Sequence, residues 1–222
     1  MNLSKYVACI CEGSAERAII KLLLDENRLI FTWDKLLDGE ILRCRNARKF
    51  EEQHLRKGFT GTITVLRLLD SRREKFKLSK AYASKIDVVN VITAPEIEML
   101  VIFAEGQYDE YKKSKKKPSA FCKENLGMGD VKSTQFVESY FADIEILISA
   151  IREYRRVSNI QRGEYALADL LNPVGSAESS RPSDGFLFSP GVCQHDERPP
   201  LRWDEQKQGC EIVELSRSFS NY

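Results

Sequence analysis

An α/β fold built on a parallel sheet is the class this sequence predicts, and three observations predict it. Short apolar runs alternate with amphipathic stretches from residue 6 to residue 105, the pattern of strands joined by covering helices. Two of those runs end in a carboxylate, at Glu12 and Asp70. A proline, Pro95, follows a third run at the place where a helix starts most readily.

The elements follow in order. Val7–Ile10 is apolar and reads as a buried strand. Gly13 permits a tight turn, and Ser14 is placed to cap the next helix. Ala15–Asp25 sets Ile19, Ile20, Leu23 and Leu24 on one side, and Asn27 ends that helix. Leu29–Trp33 reads as a second short strand, and Asn46–Leu55 as a charged helix broken by Gly58 and Gly61. Thr62–Asp70 is the clearest strand, β-branched and apolar. Phe76–Ser84 reads as a helix, Asp87–Thr93 as a strand and Glu96–Glu105 as a largely buried helix. The expected order through residue 93 is therefore strand, helix, strand, helix, strand, helix, strand, giving a sheet of about four parallel strands flanked by helices. Phe121–Glu124 and Thr134–Phe141 are short helical segments, and Asp143–Val157 carries the strongest helical stripe, with Ile144, Leu147, Ile148, Ile151 and Tyr154.

The expected organisation is a core over residues 1–105, a helical extension over 106–171 and an irregular tail over 172–222. The tail holds five of the seven prolines, eight serines and no sustained period, a composition that favours an extended or disordered segment. Phe186–Phe188 and Glu211–Leu215 are the segments read as able to pair or dock locally. The abrupt change after Leu171 also fits an altered reading frame at the end of the chain.

Composition narrows the class. Of 222 residues, 42% are apolar and 30% charged, as in a globular protein with a real core. The net charge is +1. Residues 172–222 hold 5 Lys/Arg and 8 Asp/Glu, so residues 1–171 hold the other 29 and 25 and carry a net +4. That balance permits a polyanionic partner without requiring one. Six cysteines without a CxxC pair, and only His54 and His195 to assist them, argue against structural zinc. Cys9 and Cys11 share one face of a strand, and Cys44 and Cys122 lack an adjacent base, so all four read as buried thiols. No apolar run approaches the length that spans a bilayer, and the expected setting is cytoplasmic and reducing. His54 is read as a surface residue, Trp33 as a core or edge residue, and the five lysines in Lys112–Lys117 as solvated surface or a nucleic-acid contact.

Acids at the tips of neighbouring parallel strands lie close enough to share one hard cation. Such a cation activates water and stabilises the leaving oxygen in phosphodiester cleavage. Val-Ala-Cys-Ile-Cys-Glu12-Gly13-Ser-Ala-Glu16 resembles the first motif of Toprim domains, the fold of topoisomerases and primases, in which a strand is followed by Glu-Gly. Leu-Leu-Asp70-Ser71-Arg72 is similar to their second motif, a strand followed by Asp-x-Asp, with Arg72 in place of the second Asp. Ala94-Pro95-Glu96-Ile97-Glu98 resembles a Pro-x-x-Glu helix start of compact Toprim-like proteins from phage-defence loci. The resemblance covers roughly residues 5–105. It implies a metal-dependent nuclease acting on DNA or RNA, in bacterial or prophage defence, with Mg²⁺ or Mn²⁺ as cofactor and an ATPase as a possible partner. It also implies roles. Glu12 would ligate the metal or act as base, Asp70 would be a second ligand, and Glu16 with Glu96 or Glu98 would complete or orient the site. Arg72 would contact a phosphate, or pair with Glu12 or Glu16 and replace the metal. The other reading is a non-catalytic nucleic-acid-binding or regulatory module that keeps the scaffold. A phosphate site for a nucleotide at Gly13–Ala15 is weaker, since one glycine does not make a phosphate-binding loop.

Overall fold

Three parallel strands carry the centre of the molecule. β1 (Tyr6–Cys11) pairs with β2 (Ile63–Leu69), and β2 pairs with β3 (Ile86–Ile92). Every residue of β2 is buried, as expected for an interior strand covered on both faces. A two-residue strand, β4 (Tyr165–Ala166), adds parallel to β3 and gives the order β1-β2-β3-β4. This computed structural model describes residues 1–56, 61–93 and 97–173, all within one compact unit, Met1–Ala177. The readings made for the tail fall outside the described residues.

The helices are α1 (Ser14–Asp25), α2 (Ala47–Phe50, continued as a π-helical turn Glu51–Leu55), α3 (Lys80–Ala83), α4 (Glu98–Ala104), α5 (Tyr108–Ser114), α6 (Pro118–Asn125), α7 (Thr134–Tyr140) and α8 (Ile144–Val157). On one face of the sheet, Cys9, Cys11, Leu66, Leu68 and Val91 meet buried residues of α1, α4, α6, α7 and α8. On the other, Ala8, Ile10, Ile63 and Val65 meet Leu42, Cys44, Phe50 and Leu55. The amphipathic stripe of α8 buries Leu147, Ile148, Ala150 and Ile151, and the Asp143 carboxylate caps it by accepting from the Glu145 N–H. No helix among the described residues is long and apolar enough to cross a membrane.

Several expectations change. Leu29–Trp33 is not a sheet strand. Leu29 makes an antiparallel bridge to Leu171, and Trp33 opens a 3-10 turn while its indole N–H donates to Asp25. The chain reaches the free edge of β1 later, where Leu36 bridges Val7 and Leu42 bridges Ile10, both parallel. The fourth strand comes instead from β4, so residues 106–171 complete the sheet as well as extend it. Phe76–Leu78 is irregular and only Lys80–Ala83 is helical; Phe76 is held between the Phe50 ring and the Arg67 guanidinium. Ser14 is the first residue of α1, with Gly13 at its N-cap, and its hydroxyl donates to the Lys132 carbonyl.

With the Leu36–Leu42 segment on the outer edge, chain order across the sheet reads 2-1-3-4-5. The chain leaves β1 towards one side and then crosses to the other. The point of reversal lies between β1 and β2, and open α/β sheets place ligands in the crevice beyond the strand ends at such a point.

Candidate functional site

A cleft opens at that point. Gly13, Ser14, Ala15, Glu16, Asp70, Ile97 and Lys132 line it, with a volume of about 270 Å³. Gly13 leaves room for the Glu16 carboxylate in its present position. A Cβ on it would lie 1.9 Å from the Glu16 carboxylate, which folds back over the turn from the first turn of α1. Asp70 follows the last residue of β2. Lys132 comes from the loop before α7, and its ammonium lies 2.9 Å from Glu98 Oε1. Glu98 opens α4, is fully buried, and neither of its oxygens receives an aligned hydrogen bond among the described residues. Burial raises the Glu16 carboxyl above its ordinary value, and the charges of Asp70 and Glu98 add to the rise against Lys132. The three carboxylates therefore share one electrostatic environment.

Glu12 does not join them. Continuing the β1–β2 register one step past Cys11 and Leu68 sets Glu12 beside Leu69 and Gly13 beside Asp70. Alternation along a strand then puts Glu12 and Asp70 on opposite faces of the sheet. Glu12 turns towards Arg67, a fully buried arginine on the same face of β2. Arg67 donates to Glu74 at 3.0 Å, approaches Glu12 at 3.7 Å and stacks on Phe76. Arg45 closes the other side of Glu12 at 3.0 Å.

The Glu12 side chain is 8% exposed. Burial, then the neighbouring Glu74, push its carboxyl up to about 7 against the pull of Arg45 and Arg67. A carboxyl whose folded-state value is raised favours the fold below its unfolded value, and that contribution is lost as pH rises through the folded value. Glu12 is thus expected to contribute a loss of about 2 kcal/mol, after allowance for solvent screening, between pH 4.5 and about 7. Urea denaturation across that range, in chelator, checks it: wild type should lose about that much more stability than Glu12→Gln, in which the loss from the raised Glu16 carboxyl persists.

Arg72 points elsewhere too. Its Nε donates to both oxygens of Glu164, at 2.9 and 3.1 Å, and its Nη2 to the Asn159 carbonyl. It ties the loop before β4 to the tip of β2 and holds the Glu164 carboxyl below its ordinary value, meeting neither Glu12 nor Glu16. Glu96 lies outside the described residues. Of the expected metal set, the structure brings together Glu16 and Asp70, with Glu98 behind them, and sets Glu12 apart. Among the described residues no three His, Cys, Asp or Glu side chains converge as a ligand cage.

Other side chains behave as follows. Cys9, Cys11, Cys44 and Cys122 are buried thiols outside any disulfide. A hydrogen bond with Cys9, then burial, push the Cys11 thiol well up, opposite to what a nucleophile needs. His54 is not a surface residue: its side chain is 14% exposed, pairs with Asp38 at 2.6 Å and lies against Phe50. In the lysine run, Lys113 pairs with Glu110 and Lys116 with Glu124, while Lys112 lies over Tyr108.

Comparison with protein-family models, curated proteins and solved structures finds no match to this chain.

Proposed function

We propose that this chain is a metal-dependent hydrolase of nucleic-acid phosphodiesters, with its site in the cleft between the β1 and β2 tips. The observation that supports this reading is the gathering of Glu16, Asp70 and Glu98 at the topological switch point, where the Lys132 ammonium pairs with the buried Glu98 and leaves Glu16 and Asp70 lining the cleft. Buried carboxylates call for a cation or a donor. The donor set is all carboxylate oxygen, which suits Mg²⁺ or Mn²⁺. Mg²⁺ commonly takes one or two carboxylates and keeps its waters or phosphate oxygens, so a cage of three ligands is not required. Glu16 and Asp70 would hold the ion. Bound there, it would lower the pKa of a water and neutralise charge on the leaving oxygen. Glu98 holds Lys132 at the rim, where the ammonium can meet a phosphate oxygen. The resemblance to Toprim motifs supports the same class, and bacterial or prophage defence, with an ATPase partner, is the setting it suggests.

A second reading has its own support. Glu12 and Arg72, both in the motifs, are held by protein partners, as in a module that binds nucleic acid without cutting it. Incubating the full chain with labelled single-stranded DNA, duplex DNA and RNA separates the two. Cleavage that needs Mg²⁺ or Mn²⁺ and stops in chelator is the expected result. Binding without cleavage under every cation condition favours the second reading.

A further inference from the structure

Charge is unevenly placed on this molecule. Residues 42–49 and 71–80 together hold nine Lys/Arg and one acid, Glu74. Subtracting these from the 29 and 25 of residues 1–171 leaves 20 Lys/Arg and 24 Asp/Glu, so the rest is net −4. The two segments are far apart in sequence and adjacent in space. Both start at the C-terminal edge of the sheet: Leu42 exchanges hydrogen bonds with Cys9 and Cys11 at the end of β1, and Asp70 follows the last residue of β2. The chain of ion pairs Arg45, Glu12, Arg67, Glu74 joins them, as do the Phe50–Phe76 ring contact and the bond from Ser79 N–H to Glu51.

Arg43, Lys49, Arg73, Lys75, Lys77 and Lys80 are exposed and carry no ion pair among the described residues. Arg45, Arg48 and Arg72 add to the field, though Glu12, Glu52 and Glu164 answer them, and Glu51 and Glu52 border the patch. An array this one-sided, rich in arginine, matches a chain of phosphates, which the guanidinium fork engages in pairs. The only aromatic in the two segments, Phe76, is covered by the Arg67 guanidinium at 4.8 Å. It offers no platform on which a base could stack.

We propose that the face formed by residues 42–49 and 71–80 is the docking surface for a nucleic-acid strand, held by its phosphates without base readout and led to the cleft at Asp70. This rests on the proposed action on nucleic acid. It also moves the expected contact away from the lysine run at 112–117.

The test is binding of the full chain, in chelator so that no cleavage intervenes, to labelled strands of two unrelated sequences across a range of KCl. Wild type is compared with Arg43→Gln/Arg73→Gln/Lys75→Gln and with Lys112→Gln/Lys117→Gln. The triple variant replaces exposed side chains without ion pairs, and an unchanged melting temperature confirms its fold. The expected result is equal affinity for both sequences. Affinity should fall roughly 10-fold or more in the triple variant at low salt, and log affinity against log salt should flatten by about 2–3. The Lys112/Lys117 variant should bind like wild type. If wild type binds and the triple variant binds equally well, the surface is wrong while the nucleic-acid reading stands. If wild type binds no strand, or binds only anionic vesicles, both are overturned.

Discussion

Replacing Arg67 with methionine is expected to remove about 3–5 kcal/mol of stability, the largest single effect in this protein. Methionine matches the volume of the arginine stem, so little of that loss comes from a cavity. The loss comes from Glu12 and Glu74. Arg67 is fully buried between them, and without it two close carboxylates face each other with only Arg45 in support. The loss should be greater at pH 8 than at pH 5, because Glu12, with its carboxyl raised to about 7, can take up a proton in acid. Arg67→Lys keeps the charge but not the fork or the stacking on Phe76, and should lie between. Arg45→Ala, at a side chain 73% exposed, should cost less than about 1 kcal/mol. Urea denaturation of the three variants at both pH values reads this order directly.

Glu16→Gln and Asp70→Asn are each expected to lower cation-dependent cleavage about a hundredfold while leaving the fold intact. Both side chains line the cleft, and Glu16 carries a raised carboxyl in a cluster of like charge. Removing either charge therefore relieves repulsion. Stability should hold or rise while activity falls, a split that a purely structural acid would not give. Melting temperature and initial cleavage rate, measured on the same preparations, separate the two.

Much of the fold is legible in the chain. β1, β2 and β3 announce themselves as apolar, β-branched runs, and α1 and α8 as stripes, because burial on two faces or one leaves a period in the sequence. Leu29–Trp33 carries the same local signal, yet Leu29 pairs with Leu171, a partner that no local pattern reveals. β4 is two residues long, too short to have a period at all. At the site, Asp70 could be read from the tip of its strand and Glu16 from the first turn of the helix after β1. The separation of Glu12 from Asp70 could not, since it depends on a register of one residue between strands more than fifty residues apart. Lys132 lies in a loop with no pattern to single it out. Arg67 did give a signal: one arginine between Leu66 and Leu68, in a strand buried throughout, has to find carboxylates, and Glu12 and Glu74 are the ones it finds.

The central claim, that Glu16 and Asp70 hold a divalent cation in the cleft, is tested most directly with Mn²⁺ as a paramagnetic probe in backbone amide spectra of the full chain. The account predicts selective broadening at Gly13–Glu16, Asp70, Ser71 and Lys132, reversed by Mg²⁺ and absent in Asp70→Asn. Broadening centred elsewhere, or unchanged in both Asp70→Asn and Glu16→Gln, would contradict it.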